Sequence, residues 1–159
     1  MNQTDHTYLV RCVDLAETAV NSGNAPFGSV LVSGDGAVLF EDHNRIADGD
    51  DTLHPEIEIA RWAAAHMTRD ERARAVVYTS GEHCPMCSAA HGWVGLGKIV
   101  YAGSSEQLTL WLGEIGGPLP PVNVLPIGAI LPGTEVEGPD PALAERLKAL
   151  HQRWARAHL

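Results

Sequence analysis

Residues 75–102 read AVVYTSGEHCPMCSAAHGWVGLGKIVYA, and this stretch decides the fold. A short apolar run (AVVYTS), a segment opening at Cys84-Pro85-Met86-Cys87 and a second apolar run (KIVYA) predict strand, helix, strand. A unit of that kind joins parallel strands through a crossover helix.

Working outward toward the N-terminus, PEIEIARWAAAHM (55–67) predicts a helix. SVLVS (29–33) and AVLFED (37–42), on either side of Gly34, Asp35 and Gly36, predict a hairpin, because an Asp-Gly turn tolerates positive φ. Residues 5–21 place Leu9, Val10, Val13, Ala16 and Val20 at helical spacing, with Thr4 or Asp5 as the expected cap. Toward the C-terminus, Gly113 to Pro139 is too rich in Gly and Pro for one regular element and reads as a loop with a strand around Val122 to Leu125. Asp140 and Pro141 then open a final helix running to about 158, whose Leu143, Leu147, Leu150 and Trp154 form a stripe suited to the body or to a partner subunit. The order of elements predicts an α/β protein with a helix-covered sheet, organised as one domain over residues 1–159.

Of the 159 residues 45% are hydrophobic, enough for a proper core. Formal charge is −9, from 11 Lys+Arg against 20 Asp+Glu, which disfavours nucleic acid and phosphorylated substrates and favours uncharged ligands. Neither a secretory signal nor a run of eighteen apolar residues is present, so no membrane partner and a cytoplasmic location are expected. Three cysteines cannot make a disulfide framework; the close pair Cys84 and Cys87 points to metal or redox chemistry, and Cys12, among Val10, Val13 and Ala16, reads as a small buried hydrophobe.

The chemistry concentrates in LHPEIEIARWAA (53–64) and TSGEHCPMCSAAHGW (79–93), each at a loop-to-helix junction. A helix N-terminus carries partial positive charge and favours the deprotonated ligands zinc requires. Cys84 and Cys87, three apart on a first turn, can aim both sulfurs at one point, and His54 supplies an imidazole; three protein ligands leave a fourth position for water. Zinc lowers the pKa of such a water from about 15.7 to roughly 7. Glu56, two residues after His54, stands where a proton shuttle belongs. The rival is a closed structural zinc site in a non-catalytic binding module, with His91, four residues after Cys87, as a fourth ligand.

With HPE at 54–56 and CPMC at 84–87, the sequence resembles the cytidine deaminase superfamily, whose signature is His-x-Glu followed by Pro-Cys-x-x-Cys. Its likeness is closest to the guanine deaminase branch, through NAPFGSVLV (24–32), HNR (43–45), TLHPEIEIAR (52–61), YTSGEHCPMCSAAHGW (78–93) and KIVYAG (98–103), and covers about residues 5–110. The resemblance implies a three-layer α/β/α sandwich with a five-stranded mixed sheet, a homodimer, and Zn²⁺ on His54, Cys84 and Cys87. It further implies that Asn44 hydrogen-bonds the base, that Phe27 and Trp93 line its pocket, and that Glu114 lies near an acidic base-recognising position. Two departures stand out: Pro55 has no N–H where the family usually offers one to the ligand, and His83 replaces a usual Pro at the pocket edge. They widen the expected substrate from guanine to a guanine-like purine, an aminopyrimidine or an aminotriazine. Adenosine in tRNA is the alternative substrate, sharing motif and length but not suited to the acidic balance.

Overall fold

Asn2 starts the first helix. Its Oδ1 accepts from the Asp5 N–H at 3.0 Å, and the Asp5 carboxylate accepts from the Asn2 N–H at 2.8 Å, a reciprocal capping box. Helix α1 (Gln3–Asn21) therefore begins earlier than the sequence predicts, with Asp5 as the third-residue partner of the cap. The computed structural model describes all of residues 1–159.

Strands β1 (Gly28–Val32) and β2 (Val38–His43) form the expected antiparallel hairpin, with Gly36 at φ 90° in its turn. Helices α2 (Pro55–His66) and α3 (Arg69–Arg74) lead to β3 (Val76–Gly81), which pairs antiparallel with β1. Through α4 (Pro85–Val94) the chain reaches β4 (Lys98–Gly103), parallel to β3. After α5 (Ser105–Gly113) and the short α6 (Ile127–Ile130), β5 (Val136–Glu137) adds in parallel to β4, and α7 (Ala144–Arg156) closes the fold. The sheet is five-stranded and mixed, in the order β2-β1-β3-β4-β5.

Strand alternation divides the core between the two faces. Val30, Val32, Tyr78, Val100 and Ala102 pack with Leu9 and Val13 of α1 and Leu147 and Leu150 of α7. Leu31 and Val77 turn the other way, onto Ile59, Ala60 and Ala63 of α2. Helices thus cover both faces, as a three-layer α/β/α sandwich requires. α1 approaches β1 so closely that a Cβ at Gly28 would lie 2.4 Å from Leu15 Cβ and 2.5 Å from the Cys12 carbonyl oxygen.

The C-terminal third corrects the sequence reading. Val122 to Leu125 is not a strand: it is irregular, Val122 and Leu125 are exposed, and Pro120, Pro121 and Pro126 around it offer no N–H to a ladder. The fifth strand is Val136–Glu137, paired with Ile99 and Val100. α3 and α5, unassigned from sequence, start at capping boxes, Thr68 with Glu71 and Ser104 with Gln107. The final helix is split: Asp140 accepts from the Ala142 N–H at 2.9 Å, Pro141–Leu143 form a 3₁₀ turn, and α7 follows, packed on α5 and α1 of its own chain. No helix is long and apolar enough to cross a membrane.

Because Leu147 is wholly buried between α7 and the sheet, Leu147→Ala is expected to cost about 2–5 kcal/mol. Urea unfolding checks this: the midpoint should fall while the slope is unchanged.

Candidate active site

Two helix N-termini meet on one face of the sheet. His54 caps α2 in an extended conformation, and Pro55 takes the first helical position, where a missing N–H leaves no hydrogen bond unmade. Cys84 caps α4, Pro85 follows, and Cys87 lies one turn in, its N–H directed at Cys84 Sγ at 3.5 Å. α2 and α4 pack side by side, so the three side chains converge.

His54 Nδ1 lies 3.7 Å from Cys84 Sγ and 3.6 Å from Cys87 Sγ, and the three donor atoms all lie within 4.8 Å of one another. Zn–S bonds of about 2.3 Å and Zn–N bonds of about 2.0–2.1 Å, set at the tetrahedral angle, put nitrogen and sulfur about 3.6 Å apart. The donor set therefore fits one zinc ion in both chemistry and spacing. The hydrogen bond from the Cys87 thiol, above all, holds Cys84 down to about 4, against burial and with help from His54. Cys87 is correspondingly pushed up by its bond to Cys84, by burial and by Glu56. Zinc takes both sulfurs as thiolates, so an ion held by them would displace their protons. Burial pulls the His54 imidazole down, but Cys84, Glu56 and the Asp51 backbone together hold it above its ordinary value.

Glu56 is 4% exposed, and its two oxygens face different surroundings. Oε1 accepts from Thr79 Oγ1 at 2.9 Å and lies 3.2 Å from Ser29 Oγ, while Oε2 sits 3.7 Å from Cys87 Sγ at the edge of the donor cluster. Burial raises its pKa above the usual carboxylate range, with His54 opposing.

Phe27 borders this centre, and Asn44 is tied to it through the backbone. The Asn44 N–H donates to the Phe27 carbonyl at 3.0 Å, and the Arg45 N–H donates to Leu53 at 3.1 Å, tying their loop to the residue before His54. Asn44 Oδ1 accepts from the Ile46 N–H at 3.2 Å, so the side-chain NH₂ is the group left to donate elsewhere. The Phe27 ring runs nearly parallel to His54, 13° between planes and 6.4 Å between centroids, and meets His151 of α7 edge-on at 5.2 Å. It lies over Gly81, where a Cβ would come within 2.7 Å of it.

Other residues singled out from sequence lie apart from these. Trp93 is 90% exposed on the outer side of α4. Glu114, at the end of α5, is held by Lys148 at 2.8 Å and Gln152 at 3.0 Å. His83 is fully buried against His91, rings 5.4 Å apart, and burial followed by His91 keeps it well below its ordinary pKa. His91 Nε2 donates to the Gly97 carbonyl at 2.8 Å and does not join the donor cluster, so a closed four-ligand site is not what the fold assembles. Conversely, Ser29, Thr79, Glu82 and His151 reach the site only through the fold. Glu82 receives the Ser105 and Ile127 N–H groups, each at 2.9 Å, and so anchors the starts of α5 and α6 beside the site. Ser29 and Thr79 carry a readable signal, polar residues within largely apolar strands, and they are directly opposite in the β1–β3 register.

Fold and donor set together define a deaminase of the zinc-binding class. The chain belongs to the family described as the cytidine and deoxycytidylate deaminase zinc-binding region, whose sequence profile it matches over residues 2–103. It is 31% identical over 142 residues to a probable cytosine deaminase of Schizosaccharomyces pombe, covering 87% of this chain and 86% of that one. To the guanine deaminase of Bacillus subtilis it is 38% identical over 98 residues, 60% of this chain and 62% of the relative. A solved guanine deaminase from Nitrosomonas europaea shares the fold, with a TM-score of 0.68 at 22% identity, over 94% of this chain and 83% of that one.

Elemental analysis is expected to find about one zinc per chain in the unaltered protein as purified and far less in Cys87→Ser. Burial holds His151 down to about 3 from an ordinary 6.5. The unfolded chain takes up that proton near pH 6.5 and the native chain only near 3, so neutral His151 contributes stability above 6.5 that is withdrawn as pH falls toward 3. Urea unfolding across that window should show a shallower pH dependence in His151→Gln, by up to about 1.4 kcal/mol per pH unit.

Proposed function

We propose that the protein is a hydrolytic deaminase of a free nucleobase or related amino-heterocycle: a guanine-like purine, an aminopyrimidine or an aminotriazine. The carrying observation is that the buried Glu56 carboxylate stands beside the His54, Cys84 and Cys87 donor set without belonging to it. His54, Cys84 and Cys87 would hold the zinc ion, which supplies a water with pKa of roughly 7 in place of about 15.7. Glu56 would take one proton at Oε2 from the water supplied there and deliver it to a ring nitrogen, then take the remaining proton from the added hydroxyl and pass it to the departing amine. The ring carbon gains oxygen, its bond to the exocyclic nitrogen breaks, and ammonia leaves.

The chain's other residues orient the ring. A flat heterocycle lying between the Phe27 and His54 rings needs about 7 Å, two contacts of roughly 3.5 Å, so a small outward movement of Phe27 admits it. Asn44 offers its NH₂ to a ring acceptor. With no N–H at residue 55 to meet the ligand, recognition rests on side chains, which suits a range of amino-heterocycles. His83, behind the first ligand cysteine, and Glu114 stay outside this set. The whole chain works as one domain, in the cytoplasm and as a homodimer; the exposed Trp93 and Leu110 give apolar surface for such a contact.

An adenosine in tRNA would need a basic face, which the net charge of −9 opposes. Unphosphorylated bases, nucleosides and an anticodon stem-loop, each assayed for released ammonia, separate the two: turnover of a free base with negligible RNA binding at physiological salt is expected. Glu56→Gln should lose about 10²–10⁴-fold in kcat while keeping its zinc. Normal turnover in that variant would remove the role assigned to Glu56.

A further inference from the structure

Within the sheet interior, on the face toward α2, the structure carries a polar cluster that the family signature does not contain. Ser29 of β1 and Thr79 of β3 are directly opposed in the antiparallel register, and both are wholly buried. Their hydroxyl oxygens are 2.9 Å apart, and both reach Glu56 Oε1, Thr79 at 2.9 Å and Ser29 at 3.2 Å. Leu31 and Val77 occupy the next positions on the same face and are packed apolar residues, so the hydroxyls appear only where the carboxylate arrives.

The hydroxyl protons set the arrangement. Each hydroxyl has one proton to donate, and an ionised carboxylate only accepts. Were both hydroxyls to donate to Glu56, two oxygens 2.9 Å apart would face each other with no proton between them. A chain in which Ser29 donates to Thr79 and Thr79 donates to Oε1 satisfies every group, and it matches the shorter of the two distances to the carboxylate. We propose that Ser29 and Thr79 are positioning residues that pin Glu56 Oε1 to the sheet, so that Oε2 alone is presented to the reacting groups. Thr79 makes the direct contact, and Ser29 orients the Thr79 hydroxyl. A carboxylate held by one oxygen cannot rotate into the coordination shell or exchange its two oxygens, and its working atom stays within reach of the ring.

This role rests on the reading of Glu56 as the proton carrier, and one set of variants tests both. Thr79→Val keeps the shape and removes the hydroxyl. It should lower kcat on the order of 10- to 100-fold, the scale of a hydrogen bond to a charged group. KM and zinc content should change little, while the melting temperature of the zinc-loaded protein should fall by a few degrees, the cost of leaving a buried carboxylate oxygen short of one donor. Ser29→Ala should lower kcat less, and Thr79→Ser should recover most of the loss. In a Glu56→Gln background Thr79→Val should have almost no further effect, because residues acting as a unit are not additive. A crystal structure of metal-free Thr79→Val should show the Glu56 carboxylate turned from the sheet. The positioning role is overturned if that carboxylate stays in place, if kcat is within twofold of the unaltered enzyme, or if the loss follows zinc content or adds in full to that of Glu56→Gln. If Glu56→Gln itself turns over normally, the underlying reading of Glu56 fails instead.

Discussion

Everything at the site depends on two helices beginning at the same place. An α-helix leaves its first N–H groups without intrahelical partners, and the resulting partial positive charge favours thiolates and carboxylates. Here the starts of α2 and α4 are brought together on one face of the sheet, and the residues at those starts are His54, Glu56, Cys84 and Cys87. The proline after each cap adds to this: Pro55 and Pro85 fix the backbone where the chain turns into the helix, so cap side chains are aimed by backbone geometry rather than by packing alone.

That convergence follows from strand direction. β2 and β3 both run antiparallel to β1 and so point the same way, and the chain enters α2 after β2 and α4 after β3 from the same end of the sheet. The constraint then propagates outward. Gly28 admits α1 against β1, Gly81 admits the Phe27 ring, and Glu82 gathers the first N–H groups of α5 and α6. α7 lies across the far side and sends His151 against Phe27. Burial of Glu56 is the costly element of this plan, since a carboxylate removed from water loses its hydration unless hydrogen bonds replace it. Thr79 supplies such a bond from within the sheet, with the Ser29 hydroxyl 2.9 Å behind it.

How much of this is legible in the chain differs by region. The strand-helix-strand unit, the hairpin and α2 read directly, because their signals are local: apolar period, turn residues and caps. Val122 to Leu125 shows the limit, since its valine and leucine have strand character while the prolines around it and its exposure keep it out of the ladder. Val136–Glu137 has almost no strand signal of its own and becomes a strand only because Ile99 and Val100 present a free edge. The boxes at Thr68 and Ser104 are visible in sequence, yet short helices between stronger elements are easily passed over.

What the sequence alone determines is the chemistry: donor types, their positions at helix starts and a carboxylate two residues from the histidine. Those facts depend on bonding distance along the chain, which spacing encodes. Only the tertiary structure decides which distant groups complete the site and which do not. Ser29, Thr79 and His151 come to Glu56 and Phe27 from other strands and from α7, while Trp93 and Glu114 are carried to the surface. Register between strands and the side of the sheet on which a helix packs make that choice, and both are set by burying the whole core at once.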